Sequence, residues 1–373
     1  MTSPSSARPA ELTFDGAAVI YRLFDIAYSI DLERAAAILA PSAPERTLPA
    51  RTEAQALRIA NPPVSVTLGQ RALTVLGEQC EAQLSARLFD FGVCSLQLEL
   101  QAPPGASWDS FLAFAHAVER APELAGVVTS ELDVLRQRLA PAMERPALGP
   151  VTEEYVVFRI AALRSASGVV LPADVLGDDR LAHLLLGEER PLAAPARSGL
   201  LAHRFSYYAD DFVVLTWDNA LVAEPKASDR DVEYILEFAN AQLLELRVYD
   251  ALLDAQLPAM YDRVAAARKR SLPLLTRRFH SVLAELQTRV ADVTETVERA
   301  ENGLKVTDDV YLARVYGAAL DLFRATAWRR GIERKLEIFR ETYAMLNGEA
   351  QAARSELLEI VIIVVIVAEL FIR

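Results

Sequence analysis

The alternation of apolar and polar residues divides this chain into two parts near residue 225. Before that point, short alternating runs separated by proline-rich loops predict strands mixed with short helices. After it, apolar residues recur at steps of three and four, which is typical of long amphipathic helices. We therefore predict an α+β fold, in which two related small α/β units precede a long-helix bundle or coiled coil and a C-terminal hydrophobic helix.

The α/β head, residues 14–225, contains echoes that indicate a duplication into units 14–150 and 151–225. "VIYRL" from Val19 is similar to "VVFRI" from Val156. The stretches "ARLFDFGVCSLQLEL" from Ala86 and "AHRFSYYADDFVVLTWD" from Ala202 both predict β-hairpins. Chance similarity among strand-forming words is the alternative explanation. Residues 1–13 predict a disordered tail.

Residues 226–356 predict long helical hairpins or a coiled coil. Ser228 and Asp231 form a capping-box pattern, and Pro258 should kink or stop the first helix. A later helix, capped near Asp309, carries apolar residues at steps of four and three, which define an a/d seam. This seam packs either within the chain or between subunits of a homo-oligomer; its residues are Ile332, Leu336, Phe339, Tyr343, Leu346, Ala350, Ala353 and Leu357.

The last stretch, "LLEIVIIVVIVAELFIR" from Leu357, predicts a C-terminal membrane helix over residues 357–372. Sixteen helical residues span roughly 24 Å, which is shorter than a hydrocarbon core of about 30 Å. A buried helix or strand is therefore the alternative. Tail-first insertion would leave the bulk of the chain on the cytoplasmic side of the inner membrane. The predicted anchor residues are Leu357, Ile360, Ile363, Val367 and Phe371.

The net charge of −12 argues against binding to DNA or another polyanion over a whole domain. Any basic surface must therefore be local. Antiparallel packing of the later helices would gather basic residues at one end, where a protein or ribonucleoprotein partner could bind. The alternative is a set of solvated faces paired with nearby glutamates. The residues of this predicted basic patch are Arg268, Lys269, Arg270, Arg277, Arg278, Arg329, Arg330, Arg334 and Lys335.

Motifs for phosphate, metal or nucleophile chemistry do not occur in the sequence, so we predict no catalytic residue, metal or cofactor. Asp210 and Asp211 beside Tyr207 and Tyr208 form the most site-like cluster, which supports an alternative hypothesis of an enzyme or metal-dependent regulator. A solvated hairpin turn explains the same pattern. The tryptophans, including Trp217, are predicted to lie in the core.

Several stretches resemble the "required for meiotic nuclear division" (Rmd/YagE) family of unknown function. They are Arg354 followed by Leu358–Glu359 and the run from Ile360 to Glu369, together with "SYYADDFVVLTWDNALV" from Ser206, "LELRVYDALLDAQL" from Leu244 and "FDFGVCSL" from Phe89. The resemblance implies one C-terminal membrane helix and, for mitochondrial members, a role in supporting translation at the inner membrane. It implies no catalytic residue. The expected function is a tail-anchored, non-enzymatic scaffold that presents its head and helical stalk to a partner.

Overall fold

The computed structural model describes residues 12–40, 61–165, 168–188, 190–224, 230–268 and 309–372. Strands dominate up to residue 223 and helices dominate afterwards, which confirms the α+β class. The elements are β1 (Thr13–Asp25), β2 (Ala27–Ile30), α1 (Leu32–Leu39), β3 (Val64–Val75), β4 (Glu78–Leu88), β5 (Val93–Gln101), β6 (Ala106–Ser107), α2 (Trp108–Glu119), α3 (Leu124–Leu139), β7 (Met143–Pro146), β8 (Thr152–Ser165), β9 (Gly168–Val169), α4 (Pro172–Val175), α5 (Asp178–Leu186), α6 (Ala194–Leu200), β10 (His203–Phe205), β11 (Phe212–Leu215), β12 (Asn219–Ala223), α7 (Asp231–Arg268), α8 (Val310–Leu322) and α9 (Ala325–Ile372).

One ten-stranded sheet contains strands from both halves of the head. Its main path runs β10-β11-β12-β8-β1-β5-β4-β3, while β6 pairs with β1 and β9 pairs with β8. Both predicted hairpins are confirmed, since β4 pairs with β5 and β10 pairs with β11 in antiparallel register. Only the β12–β8 pair among the main-path neighbours is parallel.

The two similar short sequences that suggested a duplication, "VIYRL" and "VVFRI", lie on neighbouring strands at the centre of this sheet. Val19 of β1 pairs with Val157 of β8. The aromatic residues of the two sequences, Tyr21 and Phe158, nevertheless point to opposite faces of the sheet. Phe158 belongs to the hydrophobic core that contains Phe14 and Ile20, whereas Tyr21 does not. The duplication stays a prediction, and the strands of both proposed units share a single sheet.

Both faces of the sheet are covered by helices. Phe14, Ile20 and Phe158 point to the face on which α1, α2, α3 and α5 pack. On the other face, Phe89 contacts Phe238 of α7 with ring centroids 5.9 Å apart, and Tyr155 meets Phe323 after α8 at 5.6 Å. A sheet covered on both faces explains why its central strands are apolar at most positions.

Contacts divide the chain into two compact units. The first contains residues 1–245 and 303–325, and the second contains residues 246–302 and 326–373. Helix α7 begins in the first unit and continues into the second through Pro258, so of the two predicted effects of this proline the stop is wrong and the kink stays a prediction. The predicted Ser228 cap lies outside the described residues.

The first four turns of α7 are buried on every side. Every residue from 231 to 246 is buried, including Glu233, Glu237 and Asn240. The sheet covers one side of these turns, and α8 covers another, where the Tyr316 hydroxyl donates to Gln242 Oε1. A buried polar side chain needs a partner, and Asn240 Nδ2 donates to the Leu236 carbonyl at 2.8 Å.

The predicted third helix is two helices, α8 and α9. Asp309 caps α8 by accepting from the amides of Tyr311 and Leu312 at 2.8 and 3.1 Å. Arg324 has a φ of 53° and breaks the helix before α9 begins. In the second unit, the seam residues Ile332, Leu336 and Phe339 are buried.

The C-terminal stretch is the last part of α9 and not a separate helix. Among the described helices, none combines the length and the apolar character that a membrane span requires. The uncharged run between Glu359 and Glu369 covers only residues 360–368, which is about 14 Å of helix. The predicted membrane helix is therefore wrong, and so are the tail-anchored scaffold and the inner-membrane location.

Two of the predicted anchor residues, Ile360 and Ile363, are exposed. The side chains of the other three, Leu357, Val367 and Phe371, lie outside the described part of the structure.

Candidate functional site

A belt of charged side chains lies between the sheet and the first turns of α7, and its members are buried or half-buried except for Arg230, whose side chain is 45% exposed. It comprises three arginines and three glutamates, and we call it the ionic belt: Arg87, Glu99, Arg159, Arg230, Glu233 and Glu237. The strand residues of the belt share the face that meets α7. Arg159 pairs with Ala17 of β1 and Glu99 pairs with Val19, while Arg87 pairs with Ser95, whose partner on β1 is Leu23. Ala17, Val19 and Leu23 are separated by even numbers of residues, so they point to the same face of the sheet.

Glu237 anchors one end of the ionic belt. Its side chain is fully buried and forms an ion pair with Arg87 of β4. Gln97 Nε2 of β5 donates to the other carboxylate oxygen at 2.6 Å. Arg87 also lies over the Tyr234 ring, 4.8 Å from the centroid, and its Nε donates to Ser65 Oγ at 3.0 Å. Both of these contacts of the Glu237 side chain therefore join α7 to the sheet.

Arg159 holds the other end of the belt. Its guanidinium donates to Glu233 of α7 at 3.3 Å and pairs with Glu99 of β5. Arg230, just before α7, donates to Glu99 at 2.9 Å. Glu99 thus receives two arginines, one from a strand and one from the start of the helix.

The surroundings shift the pKa values of Glu233 and Glu99 in opposite directions. Burial raises the pKa of Glu233 above its ordinary value, although Arg159 and Arg230 oppose this. Burial would also raise the pKa of Glu99, but the charges and hydrogen bonds of Arg159 and Arg230 outweigh it and lower that pKa. Burial raises the pKa of Tyr21, which lies among the same charges.

The ionic belt is electrically balanced, with three positive and three negative groups. Each of its members pairs with another member of the belt. A charge removed from water requires such a partner, so a one-residue shift of α7 would leave several charges buried without one. The belt therefore fixes the register of α7 on the sheet, and its charges are used within the fold.

A second cluster lies at the surface, in the turn between β10 and β11. We call residues 206–211 the tyrosine turn. Asp211 is buried, and its carboxylate accepts from the amides of Tyr207 and Tyr208 at 2.7 and 3.0 Å. The two tyrosine side chains are 62% and 56% exposed, and their rings meet edge to face at 4.8 Å. The structure thus places two aromatic rings in water on a turn that Asp211 holds in shape.

Helix α8 completes this surface. The Tyr311 ring lies 5.5 Å from that of Tyr207. Burial raises the pKa of Tyr311, and the carboxylates of Asp211, Glu224 and Asp309 raise it further. These three acidic groups, together with the exposed Asp210, give the tyrosine turn a negative environment. Arg314 lies nearby, over the Phe205 ring at 6.0 Å.

Asp210 and Asp211, which the sequence singled out as a pair, have different environments. Asp211 uses both carboxylate oxygens to bind the backbone of its own turn, whereas Asp210 is exposed. No group of three or more His, Cys, Asp or Glu residues within the described ranges has an arrangement that could hold a metal ion. Asp211 therefore shapes the turn, and the tyrosines provide the exposed surface.

The predicted basic patch is described only in part. Lys335 lies in the second unit and pairs with Asp250 at 2.7 Å and Asp254 at 2.6 Å on α7. Arg330 and Arg334 are exposed on α9, and Arg329 is half-buried there. The side chain of Arg268 and all of Lys269, Arg270, Arg277 and Arg278 lie outside the described residues. The gathering of these charges stays a prediction.

A protein family and a curated relative match the head of this chain. Residues 15–229 match the family described as "Uncharacterized protein MJ0711, N-terminal domain". The chain belongs to this family. The matched range begins in β1 and ends just before α7, so the MJ0711 N-terminal domain corresponds to the sheet and the helices inserted between its strands.

The MJ0711 protein of Methanocaldococcus jannaschii is a curated relative of this chain. It is 23% identical over 171 residues, which cover 46% of this chain and 51% of the relative. The chain therefore spans about half the length of the curated relative it matches. No solved structure matches significantly.

Sequence reasoning missed both the ionic belt and the helical part of the tyrosine surface. Arg159 appeared only as the arginine of "VVFRI", and Glu233 and Glu237 were not singled out. The available signal was Arg159 itself, a charged residue within an apolar strand sequence, because such a residue needs a partner when it is buried. Tyr311 and Arg314 gave no signal, since they follow the turn by about 100 residues. Trp217, predicted as core, is 43% exposed, so that prediction is wrong.

Proposed function

We propose that this protein is a binding module whose tyrosine turn recognises a basic segment of a partner protein. The observation that carries the proposal is the pair of exposed rings, Tyr207 and Tyr208, on a turn fixed by Asp211. Tyrosine is enriched at the energetic centres of protein interfaces. A turn that is already ordered loses little conformational freedom on binding, which strengthens an interface.

The chemistry of the surroundings supports a cationic ligand. Aromatic faces attract Lys and Arg side chains, and carboxylates nearby strengthen that attraction. Asp210 and Asp211 belong to the turn itself, and Glu224 and Asp309 act with Asp211 on the neighbouring Tyr311. Arg314 is a nearby positive charge within the described residues. The net charge of −12 favours approach of a basic partner at long range.

The alternative of an enzyme or metal-dependent regulator centred on Asp210 and Asp211 has less support. Asp211 is committed to two backbone amides, and a general base needs a free carboxylate oxygen within reach of the proton it removes. The stretch "SYYADDFVVLTWDNALV" that contains the turn also carries part of the Rmd/YagE resemblance. Membership of that family stays a proposal.

The test is a titration with labelled peptides of defined charge. The wild type should bind a fluorescein-labelled peptide of alternating Arg and Ser, and not a Glu–Ser peptide of the same length. Replacing Tyr207 and Tyr208 together by Ala should weaken binding by about tenfold or more, because truncated aromatic anchors typically cost at least 2 kcal/mol. Fluorescence anisotropy measures each Kd.

Tyr261→Ala is the matched control, because Tyr261 is 55% exposed on α7 and lies outside the turn. Circular dichroism should show the same fold for all three proteins. Equal affinity of the double variant and the wild type would refute the role of the turn, and equal binding of the two peptides would refute the preference for a basic ligand.

A further inference from the structure

The C-terminal part of α9 exposes apolar side chains around its whole circumference. Successive helical residues point about 100° apart, so the four consecutive exposed residues 360–363 face every direction around the axis. A helix that is apolar on all sides is normally buried. The exposed side chains, each 48% to 61% accessible, are Leu358, Ile360, Val361, Ile362, Ile363 and Ile366.

The coiled-coil spacing of α9 continues through this part without a break. In the second unit, Ile332, Leu336 and Phe339 occupy buried seam positions. The same alternation of steps reaches Leu357 and then places Ile360, Val364, Val367 and Phe371 on the seam. If Leu336 is an a position, Ile360 and Val367 are d positions, and Val364 and Phe371 are a positions. Every seam position of residues 357–371, which we call the apolar end of α9, is apolar.

The charges of this segment lie away from the seam. Glu359 falls at a c position and Glu369 at an f position, both on the outer side of a coiled coil. The e and g positions next to the seam, which usually carry the charges that select a different partner, are apolar as well. They are Val361, Ile363, Ala368 and Leu370.

We propose that the apolar end of α9 binds the same segment of further copies of this chain in a parallel coiled coil. Parallel packing brings each a and d layer against its own copy, so that apolar residues meet apolar residues. Leucine at a followed by isoleucine at d, as in Leu357 and Ile360, favours assemblies of more than two chains.

A pair of glutamate substitutions in the full chain tests this geometry. Ile360 and Ile362 are 60% and 55% exposed, so glutamate is compatible with the fold of the single chain at either position. Ile360→Glu puts a charge on a d position of the seam and should give monomers. Ile362→Glu puts the same charge on the outer f position and should keep the assembly. Sedimentation velocity over a wide concentration range measures both.

The wild type should sediment as a species whose mass is a multiple of the mass of one chain. A wild type that stays monomeric at every concentration overturns the proposal, and so does an equal effect of the two substitutions. Ile360→Cys tests the direction: a parallel seam gives an interchain disulfide under mild oxidation, and its absence in the assembled variant overturns the parallel arrangement. The wild type, with Cys80 and Cys94, shows the background of disulfide formation.

Discussion

The ionic belt shows how a single residue can control the position of a helix. Glu237 is fully buried in α7, and its partners Arg87 and Gln97 come from two neighbouring strands. The three side chains satisfy one another, so the network tolerates burial as a unit. Removal of one member leaves the others buried without a partner, which is more costly than removal of the whole group.

We expect Glu237→Ala to lower the free energy of unfolding by about 3 to 5 kcal/mol, because Arg87 would remain buried and uncompensated. The double variant Arg87→Met, Glu237→Leu should lose less than the sum of its two single changes. Urea denaturation of the wild type, Arg87→Met, Glu237→Leu and the double variant measures this coupling, and the same method measures the effect of Glu237→Ala.

Glu337→Ala is the control for this prediction. Glu337 pairs with Arg340 at 3.8 Å on the surface of α9, and its side chain is 61% exposed. Its loss should change stability by less than about 0.5 kcal/mol. If Glu237→Ala were as mild as the control, the belt would not hold α7.

Asp25, at the end of β1, provides a pH-dependent test at the same scale. Burial raises the pKa of Asp25 from 3.8 to about 7, although a hydrogen bond from the backbone of Ala27 lowers it. The folded state therefore binds the proton more tightly than the unfolded chain does. The stabilisation is complete below about pH 4 and is lost as the pH rises towards 7.

The wild type should lose about 4 kcal/mol of unfolding free energy between pH 4 and pH 8 relative to Asp25→Asn, since each pKa unit corresponds to 1.36 kcal/mol. Urea denaturation at both pH values measures the difference. Asp133→Asn, at a side chain 61% exposed, is the control for the substitution itself. A pH-independent difference for Asp25→Asn would contradict the raised pKa.

At the scale of the element, the turn between β4 and β5 determines how the head packs. Gly92 has a φ of 99°, and a Cβ atom there would lie 1.8 Å from the Ala27 carbonyl oxygen. The Gly92 carbonyl accepts from the Ile26 amide at 3.0 Å, which ties the turn to the β1–β2 connection. Glycine is needed here both for the left-handed backbone and for the close approach of another strand.

We predict that Gly92→Ala costs about 3 kcal/mol or more, because it combines backbone strain with a steric overlap. Gly77→Ala is the matched control: Gly77 has a φ of 81° in the β3–β4 turn, and a Cβ atom added there would meet no other atom within 4 Å. This change should cost only about 1 kcal/mol, from the strain alone. Thermal unfolding of both variants measures the difference, and equal losses would show that the contact with Ala27 is not limiting.

Some element-scale features were predictable from the sequence and others were not. The hairpins at Ala86 and Ala202 and the cap at Asp309 depend on neighbouring residues, so local patterns found them. The pattern missed the break at Arg324, because a left-handed arginine has no local signal. It also predicted a kink or a stop at Pro258, and α7 does not stop there.

At the scale of the whole molecule, the net charge of −12 should affect the rate of partner binding more than its lifetime. We predict that the association rate constant of the Arg–Ser peptide falls steeply as salt increases, in the wild type and in the Tyr207→Ala, Tyr208→Ala double variant alike. The dissociation rate should be higher in the double variant at every salt concentration, because the aromatic contacts form only in the complex.

Stopped-flow fluorescence measures both rate constants. Tyr261→Ala should match the wild type in each of them. A salt-independent association rate would contradict the role of net charge, whereas an unchanged dissociation rate in the double variant would contradict the role of the tyrosine turn.

The sequence by itself determined the α+β class, the hairpins and the regular spacing of α9, because periodicity and turn residues act over a few positions. Only the tertiary structure decided that both halves of the head share one sheet and that the first turns of α7 are buried on all sides. Glu233 and Glu237 meet arginines 74 and 150 positions away in the chain. Such partners are set by the packing of distant strands, and a local pattern of apolar and polar residues carries no information about them.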